Sequence, residues 1–185
     1  MNHTSWPLAL SLAAVSAIVG IGIGSWLTPQ YSVTMYDKGM DLGRADRLID
    51  LRYVNAMAAH HRGAMLLAEQ AKASTRPEIS GLAADILAGE PKLIAQLYDW
   101  KKDWYGDSRT ARDPIPAKLG PVDDKFDLRF LNALISHHED GIRMTKEIRT
   151  KSSRAEILND ADGVEAFLSG GVVKLKEMRK TWYGV

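Results

Sequence analysis

The 185-residue chain contains no cysteine, which removes disulfides, thiolate metal sites and cysteine nucleophiles together. An excess of either charge is also missing. The 24 basic and 23 acidic residues leave a net charge of +1, so no nucleic-acid footprint and no polyanionic partner is expected. The chain has no G-x-S-x-G elbow, no glycine-rich phosphate loop and no H-E-x-x-H, and with no such signature an enzyme is not expected. Strand-like alternation of polar and apolar residues is absent as well, so helix has no competitor. Histidines are few, five in all. Four of them form two adjacent pairs, in "NAMAAHHRGAM" (55–65) and "NALISHHEDGI" (132–142).

One long segment lacks charge altogether. From Leu8 to Leu27 the chain reads "LALSLAAVSAIVGIGIGSWL", and as a helix rising about 1.5 Å per residue this run spans the roughly 30 Å hydrocarbon core of a bilayer. Trp6 and Trp26 bracket it as interfacial aromatics do. A cleaved signal peptide is the alternative, but its apolar region is shorter, a basic start is missing before Trp6, and no A-x-A site follows. We therefore expect a transmembrane anchor at 1–28, crossing the membrane with residues 7–27, then a polar tether at 29–44. Ser16, Gly20 and Gly24 recur every four residues along the anchor. Such a strip lets another membrane helix approach, as a partner or as a second copy.

Hydrophobic residues make up 45% of the chain, enough for one buried core and too little for two large domains. That core comes from a repeat. "DLRYVNAMAAHH" (50–61) aligns without a gap on "DLRFLNALISHH" (127–138), and the halves end alike in "DWYGD" and "TWYGV". The repeat unit is a helical hairpin, at about 45–106 and 123–184, with only two copies and hence no solenoid.

In the first copy Tyr53, Val54, Met57, His60, His61, Ala64, Leu67 and Ala68 follow helical spacing. This helix is expected to end near Lys72 to Thr75. Pro77 suits the first turn of a second helix that runs to about Trp104, with Gly89 and Pro91 kinking it. In the second copy Asp123 or Asp124 can cap a helix reaching about Thr150, and a weaker one with Gly163, Gly170 and Gly171 runs to about Tyr183. The proline-bearing stretch "GDSRTARDPIPAKLGPVDD" is a linker long enough to cross from one end of a bundle to the other. Four helices in two related hairpins predict an all-α four-helix bundle over 45–185.

With Met57 at the centre of the apolar stripe, His60 falls about 60° to one side and His61 about 40° to the other, so both border the buried face. His137 and His138 stand in the same relation to Leu134. A two-fold relation between the hairpins would bring four imidazoles together inside the bundle. Imidazole suits Cu, Zn, Ni and Fe, and thioether adds a preference for Cu(I). Met57 and Met65 lie one helical turn from the first pair, and Met144 lies two turns from His137. The candidate metal set is therefore His60, His61, His137, His138, Met57, Met65 and Met144. Against it stands the plainer reading of edge histidines bonded to carbonyls or water and methionines filling gaps. Di-iron chemistry needs Glu-x-x-His, and the residues three before these histidines are Met57, Ala58, Leu134 and Ile135.

The pattern Asp50, Tyr53, Met57, His60, His61, Gly63, Ala64, repeated at Asp127, Phe130, His137 and His138, resembles the DUF305 family. The likeness covers about residues 45–184 and includes the Trp-ended helix after each motif. It implies a ferritin-like four-helix bundle, exported or membrane-anchored in bacteria, and some members are linked to copper binding. This chain has Ala59 and Ser136 where the family has proline, Leu134 for the second methionine, Asp140-Gly141 for Gly-Ala, and Leu67 for the later methionine that the second copy keeps as Met144.

Two readings follow. In the first, a single-pass membrane protein with a periplasmic or extracytoplasmic domain holds a copper ion, or zinc, through the four histidines with methionine help, and buffers or hands over the ion. In the second, an accessory subunit docks its anchor into a membrane complex, and its histidines are polar core residues that need no metal; a bis-His haem is a further variant. Unperturbed imidazoles titrate near about 6.5, so the first reading predicts affinity falling steeply between about pH 7 and 5.

Overall fold

The computed structural model describes residues 41–185. The anchor at 1–28, its run 7–27, the strip Ser16, Gly20 and Gly24, and the tether to residue 40 lie outside the described residues. Among the described residues no helix is long and apolar enough to cross a membrane. Four helices account for the regular structure of the described residues: α1 (Ile49–Ala71), α2 (Pro77–Tyr105), α3 (Phe126–Arg149) and α4 (Ala155–Tyr183). No strand occurs among the described residues.

Local chemistry fixes most of the helix ends. Pro77 opens α2, where its missing N–H has no helical partner to lose. Gly106 and Gly184 close α2 and α4 with φ of 63° and 71°, the left-handed turn that glycine adopts without a Cβ clash. The expected cap by Asp123 or Asp124 takes another form. Lys125 holds the N-cap position of α3 without a side-chain cap, while the Asp123 carboxylate accepts the Lys125 amide at 3.0 Å, and Asp46 accepts the Leu48 amide at 2.9 Å ahead of α1. An Asx turn thus leads into each of these helices. α2 continues as one helix through Gly89 and Pro91.

Each hairpin packs α1 on α2 or α3 on α4, and the hairpins meet through α1 and α3. Two apolar clusters fill the two ends. One joins the end of α1 (Leu67, Ala71), the start of α2 (Ile79, Ala83), the start of α3 (Phe130, Leu131, Leu134) and Leu175 of α4. The other joins the start of α1 (Tyr53, Val54, Met57), Leu97 of α2, the end of α3 (Met144, Ile148) and the start of α4 (Ile157, Ala161). Helices α1 and α3 therefore run antiparallel. The linker crosses the bundle as expected, but it is packed, not merely solvated: Ala117 and Leu119 enter the first cluster, and Gln70 bonds Ala117 O at 2.9 Å and the Leu119 amide at 3.0 Å.

A matched pair of polar clamps ties the hairpins together. Ser74 Oγ and Arg76 Nε donate to the two oxygens of Asp127 at 2.6 and 3.1 Å, and the Arg76 guanidinium lies 4.2 Å from the centroid of the Trp182 ring. Ser152 and Arg154 do the same to Asp50, also at 2.6 and 3.1 Å, with Arg154 4.1 Å from the Trp104 centroid. Each clamp joins the turn of one hairpin to both helices of the other, and the repeat is thereby visible in three dimensions.

Candidate metal centre

Between the two apolar clusters lies a layer of histidine. The His60 and His137 rings, one from each hairpin, stack with centroids 3.8 Å apart and planes 3° from parallel. His61 and His138 flank them, with ring centroids 6.1 Å from His60 and 6.2 Å from His137 respectively. All four are buried, His60 and His137 to 1% exposure.

Glycines make this approach possible. A Cβ on Gly141 of α3 would lie 2.6 Å from His60 Nε2, and one on Gly63 of α1 would lie 3.3 Å from His137 Cε1. Each stacked ring therefore rests on the backbone of the opposite helix. His138 uses a third glycine, since a Cβ on Gly171 would lie 2.7 Å from its Cδ2.

The polar atoms of the layer are mostly unmatched. Both ring nitrogens of His60, both of His137, and Nδ1 of His138 are buried with no hydrogen-bond partner. Buried polar atoms in folded proteins almost always have partners, and an orphan costs about 1–3 kcal/mol. Desolvation lowers the His60 pKa far below its ordinary value, with His137 adding to the effect. Burial also pushes His137 down to about 3 and His138 to about 4. These three rings are thus neutral near pH 7, each with a lone pair to offer. Protons compete with an ion only where the rings titrate, so the competition expected from pH 7 to 5 moves to lower pH for these three.

His61 differs from the rest. Its Nδ1 lies 2.5 Å from Oε2 of Glu90 on α2, a carboxylate only 12% exposed. No motif in the sequence marks Glu90, which stands beside Pro91 on another helix. Asp140 is a second unforeseen group: it takes the place of Gly63 in the repeat, is 5% exposed, pairs with Arg143, and leaves Oδ2 without a partner. Burial raises its pKa.

The methionines divide. Met57 and Met144, 0% and 2% exposed, belong to the same apolar cluster at one end of the layer. Their counterparts in the repeat, Leu134 and Leu67, belong to the other cluster. Met65 is half-buried and outside both clusters. Among the described residues no three His, Cys, Asp or Glu side chains enclose a point where an ion could sit as they stand. Parallel stacked rings explain why, because lone pairs in parallel planes do not converge. The donor chemistry nevertheless fits an ion, since five of the buried atoms left without partners are imidazole nitrogens of this layer.

Residues 50–119 match the model of the family described as "Domain of unknown function (DUF305)". The resemblance carried by the His-His motif therefore holds across α1, α2 and most of the linker. No curated protein matches the chain. Among solved structures it is similar to CopM in the Ag-bound form, with 24% identity and a TM-score of 0.64 over 72% of this chain and 97% of that one. CopM in the apo form gives 24% and 0.63 over 72% and 98%. CopM in the Cu(II)-bound form gives 23% and 0.62 over 72% and 97%. At such identities the likeness is one of fold.

Proposed function

We propose that this DUF305-like bundle binds a copper ion, with zinc as the competing cargo, through His60, His61, His137 and His138, and buffers or hands over the ion without catalysing a reaction. The observation that carries the reading is the set of buried imidazole nitrogens without partners on His60 and His137. A core that needed only apolar filling would be more stable with leucine at both positions. Neutral rings suit the role, because a coordinating imidazole must be free of its proton at the bonding nitrogen. The solved forms of CopM include Cu(I)-, Cu(II)- and Ag-bound ones, which favours copper among the ions that imidazole accepts. Binding requires the His60 and His137 rings to leave their stack so that both lone pairs face one ion. Met57 and Met144 supply thioethers at one end of the layer only, and half-buried Met65 is the remaining candidate donor for Cu(I).

Titration of the apo protein with Cu(II), Cu(I) and Zn(II), each in competition with a chelator, tests this reading. Wild type should outbind a variant with all four histidines changed to alanine by at least about 100-fold, given ligand and support effects of 10- to 100-fold each. Equal affinities would mean that these are structural histidines, as the accessory-subunit reading holds.

The ferritin-like description and the membrane attachment belong to the same proposal. One long connection between α2 and α3, with short ones elsewhere, is the connectivity expected of a ferritin-like bundle. The uncharged run Leu8–Leu27 supports a single-pass anchor, the family resemblance supports a bundle outside the cytoplasm, and Ser16, Gly20 and Gly24 support a helix partner or self-association in the membrane. Alkaline carbonate should leave the full chain in the membrane fraction and release a chain starting at residue 41. Release of both would remove the anchor from the account.

A further inference from the structure

We infer that Glu90 is a positioning residue for His61, that it turns the coordinating Nε2 of that ring toward the histidine layer, and that it makes the two halves of the layer unequal. The inference rests on the ion-binding reading above and names the half of the site that holds a doubly charged ion more strongly.

A carboxylate can only accept, so a contact of 2.5 Å between Glu90 Oε2 and His61 Nδ1 places the ring proton on Nδ1. The lone pair of the neutral ring is then on Nε2. A negative partner on the far nitrogen also raises the donor strength of the near one, the arrangement that carboxylate–histidine–metal triads use. Glu90 is held for this work, being 12% exposed within the long helix α2.

The repeat supplies an internal control. Setting Arg76 on Arg154 and Trp104 on Trp182 puts Leu168 at the position of Glu90. His138 accordingly has no carboxylate: its Nδ1 is buried without a partner, its ring lies against Gly171, and beyond the histidine layer its aromatic neighbour is Phe167 at 6.5 Å. Two histidines from one ancestral position thus have opposite surroundings, one anionic and one apolar. Added negative charge favours a divalent over a monovalent ion, so the His61 half should prefer Cu(II) or Zn(II), and the His138 half should contribute less to holding them.

The test uses the full chain in detergent micelles, without metal, with its histidines labelled with nitrogen-15, near about pH 8, where an unperturbed imidazole is neutral. Ring proton–nitrogen correlations should show His61 protonated on Nδ1 in wild type and shifted to Nε2 in Glu90→Ala. Affinity for Cu(II) should fall about 10- to 100-fold in Glu90→Ala, and His61→Ala should cost more than His138→Ala. Helix content measured by circular dichroism should stay unchanged, and Glu90→Gln, which keeps the size of the side chain and an accepting oxygen, should keep the Nδ1 proton but lose part of the affinity. A wild-type His61 protonated on Nε2, or a Glu90→Ala protein with wild-type tautomer and affinity, would overturn the inference. If wild type bound no Cu(II) while the tautomer was as expected, the ion-binding reading would fall instead, so the two failures are told apart.

Discussion

At the scale of the residue, the stacked pair of His60 and His137 is a place where stability and the proposed ion binding oppose each other. Two desolvated rings with four unpartnered nitrogens sit where two leucines would fit. Replacing both, His60→Leu with His137→Leu, should therefore stabilise the metal-free protein by about 1–3 kcal/mol in denaturant unfolding and remove most ion binding; a large loss of stability would mark the pair as structural. The buried rings of His60, His137 and His138 set a pH dependence. Their folded pKa values lie below the unfolded value of about 6.5, so the unfolded chain takes up protons first as pH falls. Stability should be fully present above about pH 6.5 and be lost on the way down to about 4 for His138 and about 3 for His137, by up to about 1.4 kcal/mol per pH unit for each ring. Asp140 and Asp160, whose pKa values burial raises, act in the opposite direction near the acid end. A melting temperature of the metal-free protein that is flat from about pH 8 to 7 and falls below about 6 is the expected profile, and the double leucine variant should reduce the fall to the part that His138 contributes. A rise on acidification would contradict neutral buried rings. The histidine pairs were legible in the sequence because adjacency and repetition are visible along a chain. Glu90 was not, because its meaning lies in a partner on another helix.

At the scale of the element, glycines decide how closely helices approach, and α4 carries a direct comparison. A Cβ at Gly170 meets nothing within 4 Å, while one at Gly171, the next residue, would lie 2.7 Å from His138. Gly170→Ala should raise stability by up to about 1 kcal/mol through helix propensity alone. Gly171→Ala should lower it by about 1–3 kcal/mol through overpacking and should also weaken ion binding. Thermal melts of the two variants check this, and equal shifts would mean that the His138 ring yields freely. Gly141→Ala belongs with Gly171→Ala, since its Cβ would strike Leu168 at 2.5 Å and His60 at 2.6 Å. The sequence pattern marked Gly163, Gly170 and Gly171 alike as signs of a weaker helix. Their difference appears only when α3 is laid against α4. Helix positions themselves were legible to within a few residues, because apolar spacing, Pro77 and the terminal glycines all act locally. The caps of α1 and α3 were less so, because the aspartates act one turn early.

At the scale of the whole molecule, the repeat yields a body with matched ends and an unequal middle. The two Ser–Arg–Asp–Trp clamps have the same lengths at 2.6 and 3.1 Å. Asp50→Asn and Asp127→Asn should therefore each cost about 1.5–3 kcal/mol, the range for hydrogen bonds to a charged group, and the double variant should show a near-additive loss. Urea unfolding reads this; a loss at one end only would show that the hairpins do not share the burden equally. The hairpin repeat, the long linker and the four-helix count could be read from the chain because duplication preserves spacing. What could not be read is the division of the methionines, since the end of the layer that Met57 and Met144 reach depends on the antiparallel run of α1 and α3. In the proposed site, imidazoles from both hairpins meet on one ion. Copper-edge X-ray absorption on protein loaded with one equivalent of Cu(II) tests it most directly, because imidazole rings add characteristic outer-shell scattering. At least two imidazoles should be bound to copper in wild type, with that signal reduced in His60→Leu/His137→Leu, which keeps His61 and His138; a spectrum without imidazole scattering, or one unchanged in that variant, would mean that the ion sits elsewhere.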